Sequence, residues 1–382
     1  MHKESRFLIF NAKLTKMNAI EKIALTKIKG IGPKTSRLLL AYCGSLQEIF
    51  KSSKKELSQI PGIHKNSIDQ LISKSYLREA ESEVRYIEDN QIDILWYEDS
   101  SYPSRLKHCE DAPLVLYKKG NCNLNNQKTV SIVGTRNATS YGRRLTEELI
   151  QQLKELNVLV VSGLAYGIDI IAHKAALNNQ LETAAVLAHG LDRIYPFNHH
   201  EIANEITNKG CLLTEYPSGT NPDKTNFPMR NRIVAGLADA TIVVEAAKKG
   251  GALITAEIAN SYNRDVCAFP GSTDLYYSAG CNELIRTNKA HLIRHAKDLI
   301  MLMQWEDDLT KKNQNHVQLP LIFDLNSDEQ KVFDYIKESK EASIDDISAY
   351  CDWPQSKLAI ILLEMEMNGI IQSLPGKMYK QP

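Results

Sequence analysis

Short apolar runs recur through the middle of the chain, each followed by a glycine-bearing turn and then by apolar residues at helical spacing. In TVSIVGTRNATSYGRRL (129–145), Val130, Ile132 and Val133 predict a strand and Gly134 lets the chain turn; Thr139 or Ser140 caps a helix carrying Leu145 and Leu149. NVLVVSGLAYGIDIIAHKAAL (157–177) repeats this order with a turn from Gly163 to Gly167, and LETAAVLAHGLDRIYP, CLLTEYP, ATIVVEA and DVCAFPG continue it. Strands apolar throughout, alternating with helices, predict an α/β fold: a doubly wound, mostly parallel sheet covered on both faces. Between residues 81 and 127, QIDILWYEDSSYPSRL and DAPLVLYKKGN add two apolar strands punctuated by prolines.

Either side of this region the period changes. Residues 20–80 hold two related turns, KIKGIGPKTSRLLL and SQIPGIHKNSIDQLI, each a helix end, a glycine-containing hairpin and a new helix, resembling tandem helix-hairpin-helix motifs. Such hairpins grip nucleic-acid backbone through N–H groups at a helix N-terminus. Lys22, Lys27, Lys29, Lys34 and Arg37 occur there with no acid between Lys22 and Gln47, so Gly30, Gly32 and Lys34 are candidate backbone contacts. A packing or dimerisation module is the other reading. The polar stretch 305–320 reads as a linker, and residues 321–382 have the helix and hairpin order of a winged helix. The expected division is therefore 1–84 helical, 85–304 the sheet domain, 305–320 linker and 321–382 winged helix.

Charge sharpens the picture only locally, because 46 basic residues balance 46 acidic ones over 382 residues. The segment preceding and opening FPMRNRIVAGL carries Lys224, Phe227, Arg230, Asn231 and Arg232 without an acid from Lys224 to Arg232. Guanidinium forks match phosphate oxygens, and an exposed ring accepts a base face at roughly 1–3 kcal/mol. The competing reading has Phe227 capping a core and the arginines pairing with Glu215 or Asp239. Arg136 falls in the turn after a strand, above a helix N-terminus that favours anions. The spacing there is not that of a dinucleotide fingerprint. Asp169 and His173 lie one helical turn apart and read more readily as structural than as an acid/base pair. From Asp324 to Pro382 there are eleven acids and six bases, and the third helix offers only Lys357; that is a poor footprint for duplex DNA and favours a protein-binding role.

GTR (134–136), SGLAYGID (162–169), YPFN (195–198), FPMRNRIVAGL (227–237) and GGALITAEIA (250–259) resemble, in order, the motifs of the DNA-processing protein A (DprA, or Smf) family. The resemblance covers almost the whole chain. It implies an extended Rossmann-like domain whose edge is extended by the 81–127 strands, and which binds single-stranded DNA without sequence preference. It also implies a homodimer through that domain, RecA recombinase as partner, loading of RecA onto protected incoming strands during natural transformation, and no catalysis. By position, the family's pocket arginine is Arg136, its lysine before the ring Lys224, its stacking ring Phe227 and its lysine before the last glycine turn Lys249. The expected single-strand site comprises Gly134, Thr135, Arg136, Ser162, Gly163, Lys224, Phe227, Arg230, Asn231, Arg232, Lys249, Gly250 and Gly251. Gly250 stands where family members often carry Ser.

The remaining features exclude other classes. No span reaches the ~20 apolar residues needed to cross a bilayer, and the chain opens without a signal-peptide core, so a cytoplasmic protein away from membranes is expected. Seven cysteines without C-x-x-C spacing read as reduced thiols, and adjacent His199 and His200 point to different faces; neither a metal nor a cofactor is expected. A second functional reading is a nucleotide-binding hydrolase of the phosphoribohydrolase-like Rossmann group, on Thr255 and Glu257 after Gly-Gly. A third is a scaffold without nucleic acid. Leu284, Ile285, Leu292 and Leu299 suit either a dimer face or a core, and Arg286, Lys289, Arg294 and Lys297 either a DNA track or a solvated face.

Overall fold

The computed structural model describes residues 17–305 and 325–381. Nine strands form the central sheet: β1 (Asp93–Trp96), β2 (Val115–Gly120), β3 (Thr129–Val133), β4 (Leu159–Ser162), β5 (Thr183–Val186), β6 (Cys211–Thr214), β7 (Ala240–Val243), β8 (Asp265–Ala268) and β9 (His291–Leu292). Their order is β1-β2-β6-β5-β4-β3-β7-β8-β9. Neighbours from β6 across to β9 are parallel, whereas β2 runs antiparallel to β6 and β1 to β2. The doubly wound sheet and its proline-bounded edge strands are thus formed as expected. Strands β3 to β7 are buried along their whole length, which is why they read as apolar runs and not as alternation.

Chain order reverses beside β3: β4, β5 and β6 lie on one side of it and β7, β8 and β9 on the other. Helix Ser140–Gln152 packs Leu145 and Leu149 on Val130 and Ile132, while helix Gly251–Ser261 packs Ala252, Ala256 and Ala259 with Val133 and Val243 on the opposite face. The connections leaving β3 and β7 therefore diverge and open a crevice at their carboxyl ends, the place where such sheets bind ligands.

The N-terminal helices do not form an independent core. Ile23, Leu39, Ile49, Leu57 and Leu71 share one hydrophobic cluster with Trp96, Tyr117, Leu187 and Leu212 of the sheet domain. Helix Leu77–Asp89 runs across position 84, and its Glu83 accepts hydrogen bonds from Ser218 N (2.8 Å) and Ser218 Oγ (2.6 Å). The two hairpins brace each other: Ser67 Oγ donates to Lys29 O at 2.9 Å, and a Cβ on Gly30, whose φ is +84°, would stand 2.7 Å from Ser67 Oγ.

The C-terminal unit contains helix Ser327–Ser339, β10 (Glu341–Ser343), helix Ile344–Cys351, helix Gln355–Met367, β11 (Gln372–Leu374) and β12 (Met378–Lys380), the winged-helix order with one added strand. Residues 1–16, 306–320 of the expected linker, 321–324 and 382 lie outside the described residues.

The expectation of reduced thiols is corrected at one pair. Antiparallel β2 and β6 set Gly120 opposite Cys211, which brings Cys122 to a Cα separation of 5.6 Å, and the two sulfurs are bonded. The other five cysteines are free. Residues 278–303 form two helices, Ala279–Arg286 and Ala296–Leu302, separated by β9. Leu284 and Leu299 face the core, and Arg286, Lys289 and Arg294 pair with Glu283, Glu257 and Asp298, as on a solvated face. Among the described residues, no helix is long and apolar enough to cross a membrane.

Candidate nucleic-acid interface

Four loops converge at the carboxyl edge of the sheet. The β3 loop is drawn tight against its neighbours: Thr135 N donates to Glu245 O (2.7 Å), and Ile168 N donates to Thr135 O (3.2 Å). A Cβ on Gly134 would stand 2.4 Å from Ile168 Cγ1; one on Gly167, at φ +76°, would stand 2.1 Å from Thr135 O. Glu245, at the end of the β7 segment, accepts from Thr139 N (2.9 Å) and Thr139 Oγ1 (2.6 Å), and Thr139 caps helix Ser140–Gln152. These contacts leave Arg136 exposed at the tip of the turn.

The Arg136 guanidinium carbon lies 5.5 Å from the centroid of Phe227, in the first turn of helix Asn226–Gly236. Tyr195, from the loop after β5, sets its ring 5.9 Å from Phe227 at 56°. Lys224 is exposed just ahead of that helix, and Lys249 is exposed ahead of helix Gly251–Ser261. Asn231 Nδ2 donates to Gly251 O at 3.3 Å, tying the two helix starts together. Nothing lies within 4 Å of a Cβ built on Gly250, so the glycine in place of Ser leaves that corner open. Among the described residues, Arg136, Lys224 and Lys249 make no ion pair. Three uncommitted cations and a partly buried ring thus share one rim, an arrangement able to hold a phosphodiester and stack a base.

Several expected ligands are turned elsewhere. Arg230 is only 5% exposed, and its Nη1 donates to Gly163 O and Val186 O. Arg230 follows Phe227 by three residues on the same side of the helix, but its longer side chain reaches under the β4 turn, where a Cβ on Gly163 would stand 2.3 Å from that nitrogen. Arg232 is equally buried, pairing with Glu215 and donating to Asp111 O at 2.8 Å. Ser162 is buried with its hydroxyl donating to Ile132 O at 2.6 Å. These three shape the rim from beneath and offer no group to a strand. In the helical domain, Gly30 is occupied by its packing on Ser67 and Lys34 pairs with Glu110; Gly32 is exposed.

Asp169 and His173 form a structural cluster under the same turn. Burial pushes the Asp169 carboxyl up against the opposing pull of Arg230. His173 Nδ1 lies 2.7 Å from Thr183 Oγ1, and burial drives the imidazole down to about 3, so it stays neutral. Of the candidate hydrolase residues, Thr255 Oγ1 donates to Gly251 O (3.1 Å), and Glu257 pairs with Lys289, which precedes β9 at the amino end of the sheet. Among the described residues, no cluster of His, Cys, Asp or Glu is arranged to hold a metal ion. Sequence reasoning misses Glu245 and Tyr195. A carboxylate closing the apolar run ATIVVEA is the signal for the first; for the second the only signal is the aromatic that opens YPFN, which local pattern gives no role.

On the winged helix, Lys357 pairs with Asp328 at 2.7 Å and lies 3.9 Å from the Trp353 ring centroid. Ile360, Leu363 and Met367 leave an exposed apolar stripe on the third helix.

Residues 93–304 match the family model for DNA recombination-mediator protein A, 22–74 that for a SAM-like helix-hairpin-helix tandem, and 319–377 that for the DprA winged helix domain. Protein Smf of Synechocystis sp. is 36% identical over 285 residues, spanning 73% of this chain and 71% of that protein. DNA processing protein DprA of Streptococcus pneumoniae is 43% identical over 202 residues, 53% of this chain and 71% of the relative. The solved Streptococcus pneumoniae DprA superposes with a TM-score of 0.66 at 33% identity, covering 74% of this chain and 97% of that one. DprA of Helicobacter pylori, described for its single-stranded DNA binding mode, gives a TM-score of 0.52 at 32% identity over 56% of this chain and 97% of that one. Matches to all three family models, the central one over more than half of the chain, and similarity along most of its length place this protein in the DprA/Smf family of DNA recombination-mediator proteins.

Proposed function

We propose that this chain is a recombination mediator that binds single-stranded DNA across the carboxyl edge of its sheet. The observation that carries the reading is Arg136 over the Phe227 ring at the carboxyl edge of the sheet, with Lys224 and Lys249 exposed on neighbouring loops and all three cations without an ion pair among the described residues. Cations alone would suit any polyanion, but a ring among them adds a preference for unpaired bases, whose faces a duplex conceals. Gly134, Thr135, Gly163 and Asn231 act by shaping the loops, and the opened corner at Gly250 and Gly251 receives backbone. Family membership supports the finer roles: protection of incoming strands, loading of RecA in transformation, dimerisation through the Rossmann-like domain, and mediation without catalysis. The acidic, apolar third helix of the winged domain favours protein over duplex as its partner.

Fluorescence anisotropy with labelled oligothymidine and its duplex counterpart, at two salt concentrations, tests the reading. Salt-sensitive preference for the single strand, lost in Arg136→Ala, is expected. Equal affinity for both forms would remove it.

A further inference from the structure

Beside the Arg136–Phe227 pocket lies a second aromatic surface that the pocket does not use. We propose that Tyr195 and Phe197 form a ledge on which a further base of the same single strand stacks, extending the site towards the β5 side of the sheet; this rests on the single-strand reading above. Phe197 is 78% exposed and Tyr195 47%. Scattered exposed apolar side chains are normal on a protein surface, but here Tyr166, Tyr195, Phe197 and Met229 are all exposed around one rim, and such clusters mark binding surfaces.

The ledge is continuous with the pocket. Tyr195 contacts Phe227 at 5.9 Å between centroids, and Phe197, two residues on, can stand no more than about 7 Å further along the backbone. It is also held in place. His199 N donates to Pro196 O at 3.0 Å, and the buried His199 ring sets Nδ1 2.8 Å from Leu164 O, in the turn whose Gly163 accepts from Arg230. Tyr166 packs edge-on against His199 at 4.9 Å, and His200 lies nearly parallel to Phe197 at 6.0 Å. The nearby carboxylate of Asp192 is paired with Arg193, so it does not repel an approaching phosphate chain. A flat, exposed ring on a fixed backbone binds a base with little ordering cost, and any base serves.

The test uses the full-length protein and oligothymidines of about 4 to about 16 nucleotides. Wild-type affinity is expected to rise with length to a plateau. In Phe197→Ala the shortest bound oligomer keeps wild-type affinity while the gain with length is lost, about 5- to 150-fold at the plateau; Phe197→Tyr retains it. Phe227→Ala weakens binding at every length. At the shortest plateau length, an abasic residue moved along the oligomer finds two sensitive positions in the wild type and one in Phe197→Ala. Identical length dependence in Phe197→Ala, or a single abasic-sensitive position in the wild type, overturns the ledge. Absence of wild-type binding at all lengths removes the single-strand reading itself, and the ledge with it.

Discussion

Arg136 and Phe227 arrive from different strands of the sheet and meet with the guanidinium carbon 5.5 Å from the ring centroid. A cation over one face of a ring leaves the other for a base, and the ring in turn restrains the arginine's long side chain.

The two residues consequently separate by salt. Each phosphate neutralised on a single strand contributes about −0.7 to the slope of log affinity against log salt, so Arg136→Ala flattens the slope by about that amount. Phe227→Ala weakens binding by roughly 1–3 kcal/mol with the slope nearly unchanged, because stacking releases no counterions. The double variant loses less than the sum, since the ring positions the arginine. Anisotropy titrations at several salt concentrations measure all three, and equal slope losses would refute this division.

Arg230 behaves as a structural residue. Arg230→Met leaves the carbonyls of Gly163 and Val186 without their donor and removes the positive charge near Asp169. Loss of a buried charge of this kind costs about 3–5 kcal/mol, readable by denaturant unfolding. The protein that remains folded keeps the wild-type salt slope; a slope flattened as in Arg136→Ala would restore Arg230 to the interface.

Gly167→Ala couples a backbone position to binding. Its φ of +76° disfavours a side chain, and the new Cβ would press on Thr135 O and displace the Arg136 turn. The conformational cost alone is about 1–2 kcal/mol. Single-strand affinity falls along with the melting temperature, whereas a loss of stability with full affinity would show that the turn does not depend on this contact.

His173 gives the protein a predictable acid sensitivity. Its folded value of about 3 lies below the unfolded value of about 6.5. Between those limits the unfolded chain binds the extra proton, so this contribution to stability is intact above pH 6.5 and is lost as pH falls towards 3. Melting temperature therefore declines on acidification, and less steeply in His173→Gln. Equal slopes would show that the imidazole is not the titrating group.

Much of the architecture was legible because strand burial and helix period leave marks on composition. Val130, Ile132 and Val133, or Ile242 and Val243, read as strands with both faces covered, and the βα alternation then implied a parallel sheet. Arg136 and Phe227 could be nominated from their place after strands, at the carboxyl edge. The helix-hairpin-helix unit was equally visible, but its docking was not: Lys34 pairs with Glu110, and a core shared with Leu187 and Leu212 fixes that face to the sheet.

The sequence by itself determined the elements, their order and the clustering of cations near one ring, since these follow from periodicity and turn chemistry within a few residues. Only the tertiary structure decided which cations remain free. Phe227, Arg230 and Arg232 lie within six residues on one helix, yet the ring reaches the rim while both arginines, on nearly opposite sides of the helix, are buried. There, partners from β5 and the loops after β4, before β2 and after β6 engage them. Those partners lie tens of residues away in sequence, and a local charge pattern carries no information about which distant carbonyl or carboxylate will be waiting.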